Sequence, residues 1–139
     1  MMCGKYLDCK KAVKSGIVLY ALIFTFASAL MFYVPLAAYD YAALVAVALL
    51  TFMVAKHYFR ECKPANPICS GLALGVVFAV VMFVLDVLLM VYGFASQIGW
   101  GYFASTNQLL GYVLTIVMPV LAAKMVWCRK AGKARRRRR

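Results

Sequence analysis

Four long apolar runs take up most of this chain, and all 16 Lys and Arg residues lie in the segments on one side of them. Lys5, Lys10, Lys11 and Lys14 precede the first run, and Lys56, Arg60 and Lys63 fall between the second and third. Lys124, Arg129, Lys130, Lys133 and Arg135 to Arg139 close or follow the fourth. The other two connections carry no Lys or Arg. Translocation of basic residues is disfavoured, so this asymmetry predicts that both termini and the middle loop are cytoplasmic.

Composition agrees with that reading. The chain is 66% hydrophobic and 14% charged over 139 residues. Its mean hydropathy is +0.86. A soluble domain of this size could not bury so much apolar surface, so lipid must solvate most of it. The expected fold class is all-α: a polytopic, multi-pass protein of the cell membrane with four transmembrane helices in one bundle. A net charge of +12 in a soluble chain would suggest nucleic acid. Here the charge lies at the membrane edges, and no aromatic residues interleave the basic tail for base stacking, so nucleic acid is disfavoured as a partner.

The spans are expected at about residues 16–38, 41–56, 71–94 and 106–127, after a basic cytoplasmic N-terminus over 1–15. The first run is too long for a cleaved signal peptide and reads as a signal anchor. The first turn is expected at Tyr39, Asp40 and Tyr41, which leaves a second span near the lower limit for crossing ~30 Å of hydrocarbon. Lys56 can snorkel to lengthen it. Pro64 and Pro67 mark the inner loop. Trp100, Tyr102 and Phe103 suit the headgroup level of the outer loop. Residues 128–139 form a basic cytoplasmic tail, expected to be disordered from Arg129. Its Arg129, Lys130, Lys133, Arg135, Arg136, Arg137, Arg138 and Arg139 should hold anionic lipid at the cytoplasmic face.

Cys3, Cys9, Cys62, Cys69 and Cys128 all fall at or near that same face. The cytoplasm is usually reducing, so free thiols are expected in place of a disulfide framework. Their spacing lacks the close pairs of a thiol oxidoreductase or a zinc ribbon. No metal and no cofactor is expected.

Lys56 and Lys124 fall at the inner ends of their spans, which leaves Asp86 as the one charge deep inside a span, and no basic residue shares that span. A carboxylate is expensive in hydrocarbon, and such residues face a bundle interior or a cavity. Gly71, Gly75, Ala79, Met82, Asp86 and Gly93 follow helical spacing and form one stripe. Small residues on such a stripe, here Gly71, Gly75, Ala79 and Gly93, let helix backbones approach. Asp86 follows Gly71 by fifteen residues, or ~22 Å of rise, which puts it in the outer half of the membrane. Asn107, Gln108, Tyr112 and Thr115 of the fourth run and Tyr92 of the third could gather at that depth. The expectation is a polar ligand or proton site of Asp86, Asn107, Gln108, Tyr92, Tyr112 and Thr115. The competing expectation is that Asp86 serves helix packing alone.

Sequence motifs of hydrolases, zinc proteases and nucleotide-binding loops are absent. His57 sits at the inner interface, remote from Asp86, so an enzyme is disfavoured. Residues 50–123 carry Tyr58-Phe59-Arg60, then Pro64, Gly71-Leu72 with Gly75, Leu85-Asp86, Tyr102-Phe103 and Gly111-Tyr112. In these the chain resembles small, uncharacterised four-span integral membrane proteins of bacteria and archaea. The resemblance implies a fold and a topology, and no activity. Three function classes follow: a small-solute, proton or lipid binding or transport unit at Asp86, acting as a homo-oligomer; a structural or accessory subunit of a larger membrane complex; and an enzyme on outer-leaflet lipid.

Overall fold

The computed structural model describes residues 7–62, 66–92 and 105–137. They form α1 (Cys9–Tyr33), α2 (Leu36–Glu61), α3 (Pro67–Asp86) with a π-helical continuation over Val87–Val91, and α4 (Thr106–Arg137). There is no strand among the described residues. All four helices contain a stretch long and apolar enough to cross a membrane: Cys9–Tyr33, Ala38–Glu61, Pro67–Leu89 and Thr106–Cys128.

Local chemistry sets the helix ends. Asp8 caps α1, its side chain accepting from the Lys11 amide at 3.4 Å. Pro35 ends α1 by driving Val34 into extended conformation (φ −115°, ψ 131°). Pro35 then caps α2, whose first turn closes with the Tyr39 amide on the Pro35 carbonyl at 3.1 Å. Only Val34 and Pro35 therefore join the two helices. This corrects the turn expected at Tyr39 to Tyr41, which are helical. With 26 residues, α2 is also no short span, at ~39 Å of rise. Asn66 caps α3 by accepting from the Ile68 amide at 3.3 Å, and Pro67 takes the first helical position, where no amide is needed.

The tail departs from expectation too. Helix α4 continues to Arg137, where a disordered segment was expected from residue 129. Ala, Lys and Arg are good helix formers, and cations suit the negative end of the helix dipole.

Helix α1 packs on α2 and α3, and α4 packs on α2 and α3, so α1/α4 and α2/α3 are the diagonals of the bundle. The Tyr58 hydroxyl accepts from the Asp8 amide at 3.0 Å and ties the start of α1 to the end of α2. That makes α1 and α2 antiparallel. Gly71 faces Val120, and Gly75 faces Ile116, so α3 and α4 are antiparallel as well. The described basic positions, from Lys10 to Lys14, Lys56, Arg60 and Lys124 onward, thus fall at one end of the bundle.

The glycines set how closely α3 meets α4. A Cβ built at Gly71 would lie 2.6 Å from Val120 Cα, and one at Gly75 would lie 2.6 Å from the Ile116 carbonyl oxygen. Side-chain-free backbone is what permits this approach. Ala79 of the same stripe is half-buried, and Gly93 lies outside the described residues. Leu19, Phe59, Leu74 and Phe78 are fully buried at the centre. The outer surface is apolar as well: Val45, Leu49, Met53, Val80, Leu109 and Val113 are all more than half exposed.

Candidate functional site

Asp86 ends the α-helical part of α3, facing inward, with only 4% of its surface exposed. Three side chains from two other helices donate to its carboxylate. Tyr20 of α1 donates its hydroxyl to Oδ1 at 2.9 Å. Gln108 of α4 donates Nε2 to Oδ2 at 2.9 Å. Tyr112, one turn further along α4, donates its hydroxyl to Oδ2 at 2.6 Å. The last distance is in the range of charge-assisted O–H···O⁻ bonds. A buried carboxylate is costly unless its lone pairs are met, and these donors meet three of about four. The fourth is on the Tyr20 side, at Oδ1.

The tyrosine rings are themselves braced. Tyr20 stacks on Phe24 (centroids 6.3 Å apart, planes at 19°), and Tyr112 tilts against Phe83 at 6.4 Å. Directly after Asp86 the helix widens into its π-helical stretch, with the Tyr92 amide bonding back to Val87 at 3.4 Å. Such widenings recur at functional sites because they re-aim the chain that follows.

A cleft of about 320 Å³ opens beside this network. All four helices reach it: Tyr20, Phe24 and Met31 from α1, Tyr39 from α2, Asp86 from α3, and Tyr112 from α4. The volume is at the small end of the ligand-pocket range. Four aromatic residues and two methionines contribute to the wall, and Asp86 is the single formally charged residue on it among the described residues. The cleft can hold a small cation against an oriented carboxylate and aromatic faces.

The expected residues divide. Gln108 and Tyr112 meet Asp86. Asn107 is exposed, since one residue along a helix turns a side chain ~100° away from its neighbour's direction. Tyr92 is 75% exposed, beyond the π-helical stretch. Thr115 is buried but bonds within α4 to the Gly111 carbonyl at 2.9 Å and touches Met82 Sδ at 3.6 Å, one turn below Asp86. Neither Asn107, Tyr92 nor Thr115 binds the carboxylate. Thr25 and Ser28 likewise bond to carbonyls of their own helix, both at 2.8 Å. Tyr20 was not anticipated. Its signal was a hydroxyl in the middle of an apolar run, four residues after Gly16, which requires a buried partner.

Other groups stand apart. Cys9 is disulfide-bonded, which corrects the expectation of free thiols at that position. Suitable geometry permits a bridge, and forming it from two thiols also requires an oxidant that takes up two electrons. Cys62, Cys69 and Cys128 are free. No three His, Cys, Asp or Glu side chains gather to hold a metal among the described residues. His57 lies 3.5 Å from Glu61 at the opposite end of the bundle from the cleft. The basic tail is helical through Arg137, and Arg138 and Arg139 lie outside the described residues. Comparison with protein-family models, curated proteins and solved structures finds no match to this chain.

Proposed function

We propose that this chain crosses the cell membrane four times with both termini cytoplasmic, and that the Asp86 cleft binds a small cationic solute or a proton as part of a transport or binding unit. The membrane reading rests on four helices of spanning length with an apolar outer surface, and on the basic residues at one end of the bundle. One observation carries the site: the sole charge on the cleft wall among the described residues is a carboxylate already oriented by donors from two neighbouring helices. Pre-oriented groups lose little freedom when a ligand arrives, which favours binding. Among the described residues lining the cleft, the acid–base groups bonded to Asp86 are Tyr20 and Tyr112, an arrangement that supports binding over catalysis.

The test uses proteoliposomes containing a pH-sensitive dye and an imposed gradient of tetraethylammonium. The wild type should show a cation-driven change of internal pH, and Asp86→Asn should abolish it while melting as a folded bundle. Equal signals from both proteins would defeat the proposal.

A second reading has its own support. Asp86 is almost wholly buried and nearly saturated with donors, as a packing residue should be. In that case the chain is an accessory subunit of a larger membrane complex. Purification in mild detergent should then retain a stoichiometric partner, and Asp86→Asn should lower stability without changing any proton signal. In either case the basic tail is a contact for anionic lipid.

A further inference from the structure

We propose that the outer seam between α1 and α2 holds one anionic glycerophospholipid, its phosphate on Lys11 and Lys14 and an acyl chain along Val18, Met53 and Leu49. This rests on the membrane reading above and not on the Asp86 cleft, which lies towards the other end of the bundle.

Two hollows meet on this seam. One, of about 500 Å³, is flanked by Lys11, Lys14, Ser15 and His57 and floored by Val18 and Met53. The other, of about 520 Å³, continues along Met53, Leu49 and Val45 and contains no charged residue among the described residues. Met53 lines both, so they form one groove with a cationic end and an apolar length. That is the shape and polarity of an amphiphile. Val18, Val45, Leu49 and Met53 are between 48% and 65% exposed, so no part of the described chain covers the groove.

The charge balance selects an anionic headgroup. Lys11 and Lys14 are three residues apart and share one face of α1. Neither makes an ion pair among the described residues. Glu61 also lines this end, 3.5 Å from His57, so with His57 neutral the two lysines exceed the one carboxylate of the hollow and leave it net positive. Ser15, half-buried between the two lysines and the apolar floor, adds a hydroxyl. The length also suits a lipid of one leaflet. From His57 to Val45 is twelve residues, or ~18 Å of helix, against about half of a ~30 Å hydrocarbon core. A headgroup at the lysines therefore leaves its chain ending near Val45.

The experiment is native mass spectrometry of the full chain in detergent, titrated with phosphatidylglycerol or phosphatidylcholine. One phosphatidylglycerol should stay bound, in preference to phosphatidylcholine. Two basic residues near an anionic surface are together worth about thirtyfold, so K11Q/K14Q should weaken that binding by about this factor. Met53→Trp fills the groove without altering charge and should also weaken it. Deleting residues 133–139 should leave the tight lipid in place, which separates it from the diffuse hold of the tail. The proposal is overturned if both variants bind phosphatidylglycerol like the wild type, if tail deletion removes the lipid, or if phosphatidylcholine binds equally well. Recovery of the chain without detergent would overturn the membrane reading itself, and this proposal with it.

Discussion

Replacing Gly75 by Ala should destabilise the bundle by about 1–3 kcal/mol, the usual range for overpacking a tight contact. The added Cβ would lie 2.6 Å from the Ile116 carbonyl oxygen and 2.8 Å from Ile116 Cα. Ordinary contact begins near 3.4 Å, so α4 must retreat by about 0.8 Å at this point. Both obstructing atoms are backbone, and no side-chain rotation relieves them. Tyr112 is one turn from Ile116 on the same helix, and its 2.6 Å bond to Asp86 would lengthen beyond the usual O–H···O range if α4 moved as a body. Gly71→Ala meets Val120 Cα at 2.6 Å and should behave alike. The double variant should lose less than the sum, because one displacement relieves both clashes. Gly111 is the internal control: nothing lies within 4 Å of its would-be Cβ, so Gly111→Ala should be neutral or stabilise by up to about 1 kcal/mol. Thermal unfolding in one detergent, read by circular dichroism, orders the variants. The reasoning fails if Gly71→Ala and Gly75→Ala melt no lower than Gly111→Ala.

Tyr112→Phe should cost about 1.5–3 kcal/mol, as expected for a hydrogen bond to a charged group, and more than Tyr20→Phe because its bond is the shorter. Chemical unfolding of the two variants side by side checks the order. Thr51→Val should be neutral or stabilising by up to about 1 kcal/mol, since Thr51 Oγ1 is buried without a partner and a similarly shaped apolar group removes that cost. A fall in melting temperature would show that the hydroxyl has a role. Tyr58→Phe removes the anchor of the α1 N-terminus and should cost about 1 kcal/mol. Hydrogen exchange should then rise at the Asp8 amide, and unchanged exchange there would refute the anchor. Removal of residues 133–139 should lower binding to anionic vesicles and leave orientation as it was, because Lys10 to Lys14, Lys56 and Arg60 remain. Protease protection of the termini in sealed vesicles reports this.

Much of the site could be read from spacing. Steps of three and four put Gly71, Gly75 and Asp86 on one face of α3, and Gln108 and Tyr112 are four apart on α4. The same arithmetic turns Asn107 away from Gln108, and Asn107 is exposed. Thr115 carried a polar group at a suitable depth, but a helical threonine can satisfy itself on the carbonyl four residues back, as it does on Gly111. The helix break lies at Pro35 and not at Tyr39 to Tyr41, because proline acts more locally and more strongly on the backbone than hydropathy does.

Sequence alone determined the number of long apolar helices, the placement of the basic residues outside two of the connections, and the presence of a carboxylate within an apolar helix with a small-residue stripe beneath it. These are local properties, set by helical period and by the cost of charge in hydrocarbon. Tertiary structure decided which helices are neighbours. The order α1, α2, α4, α3 around the bundle brings Tyr20 to Asp86 across 66 residues of chain and leaves α2 and α3 diagonal although they follow each other. No periodicity could have shown this. Helices that are apolar on every face do not mark the inward side by hydrophobicity, so close fit and hydrogen bonds choose the partner faces.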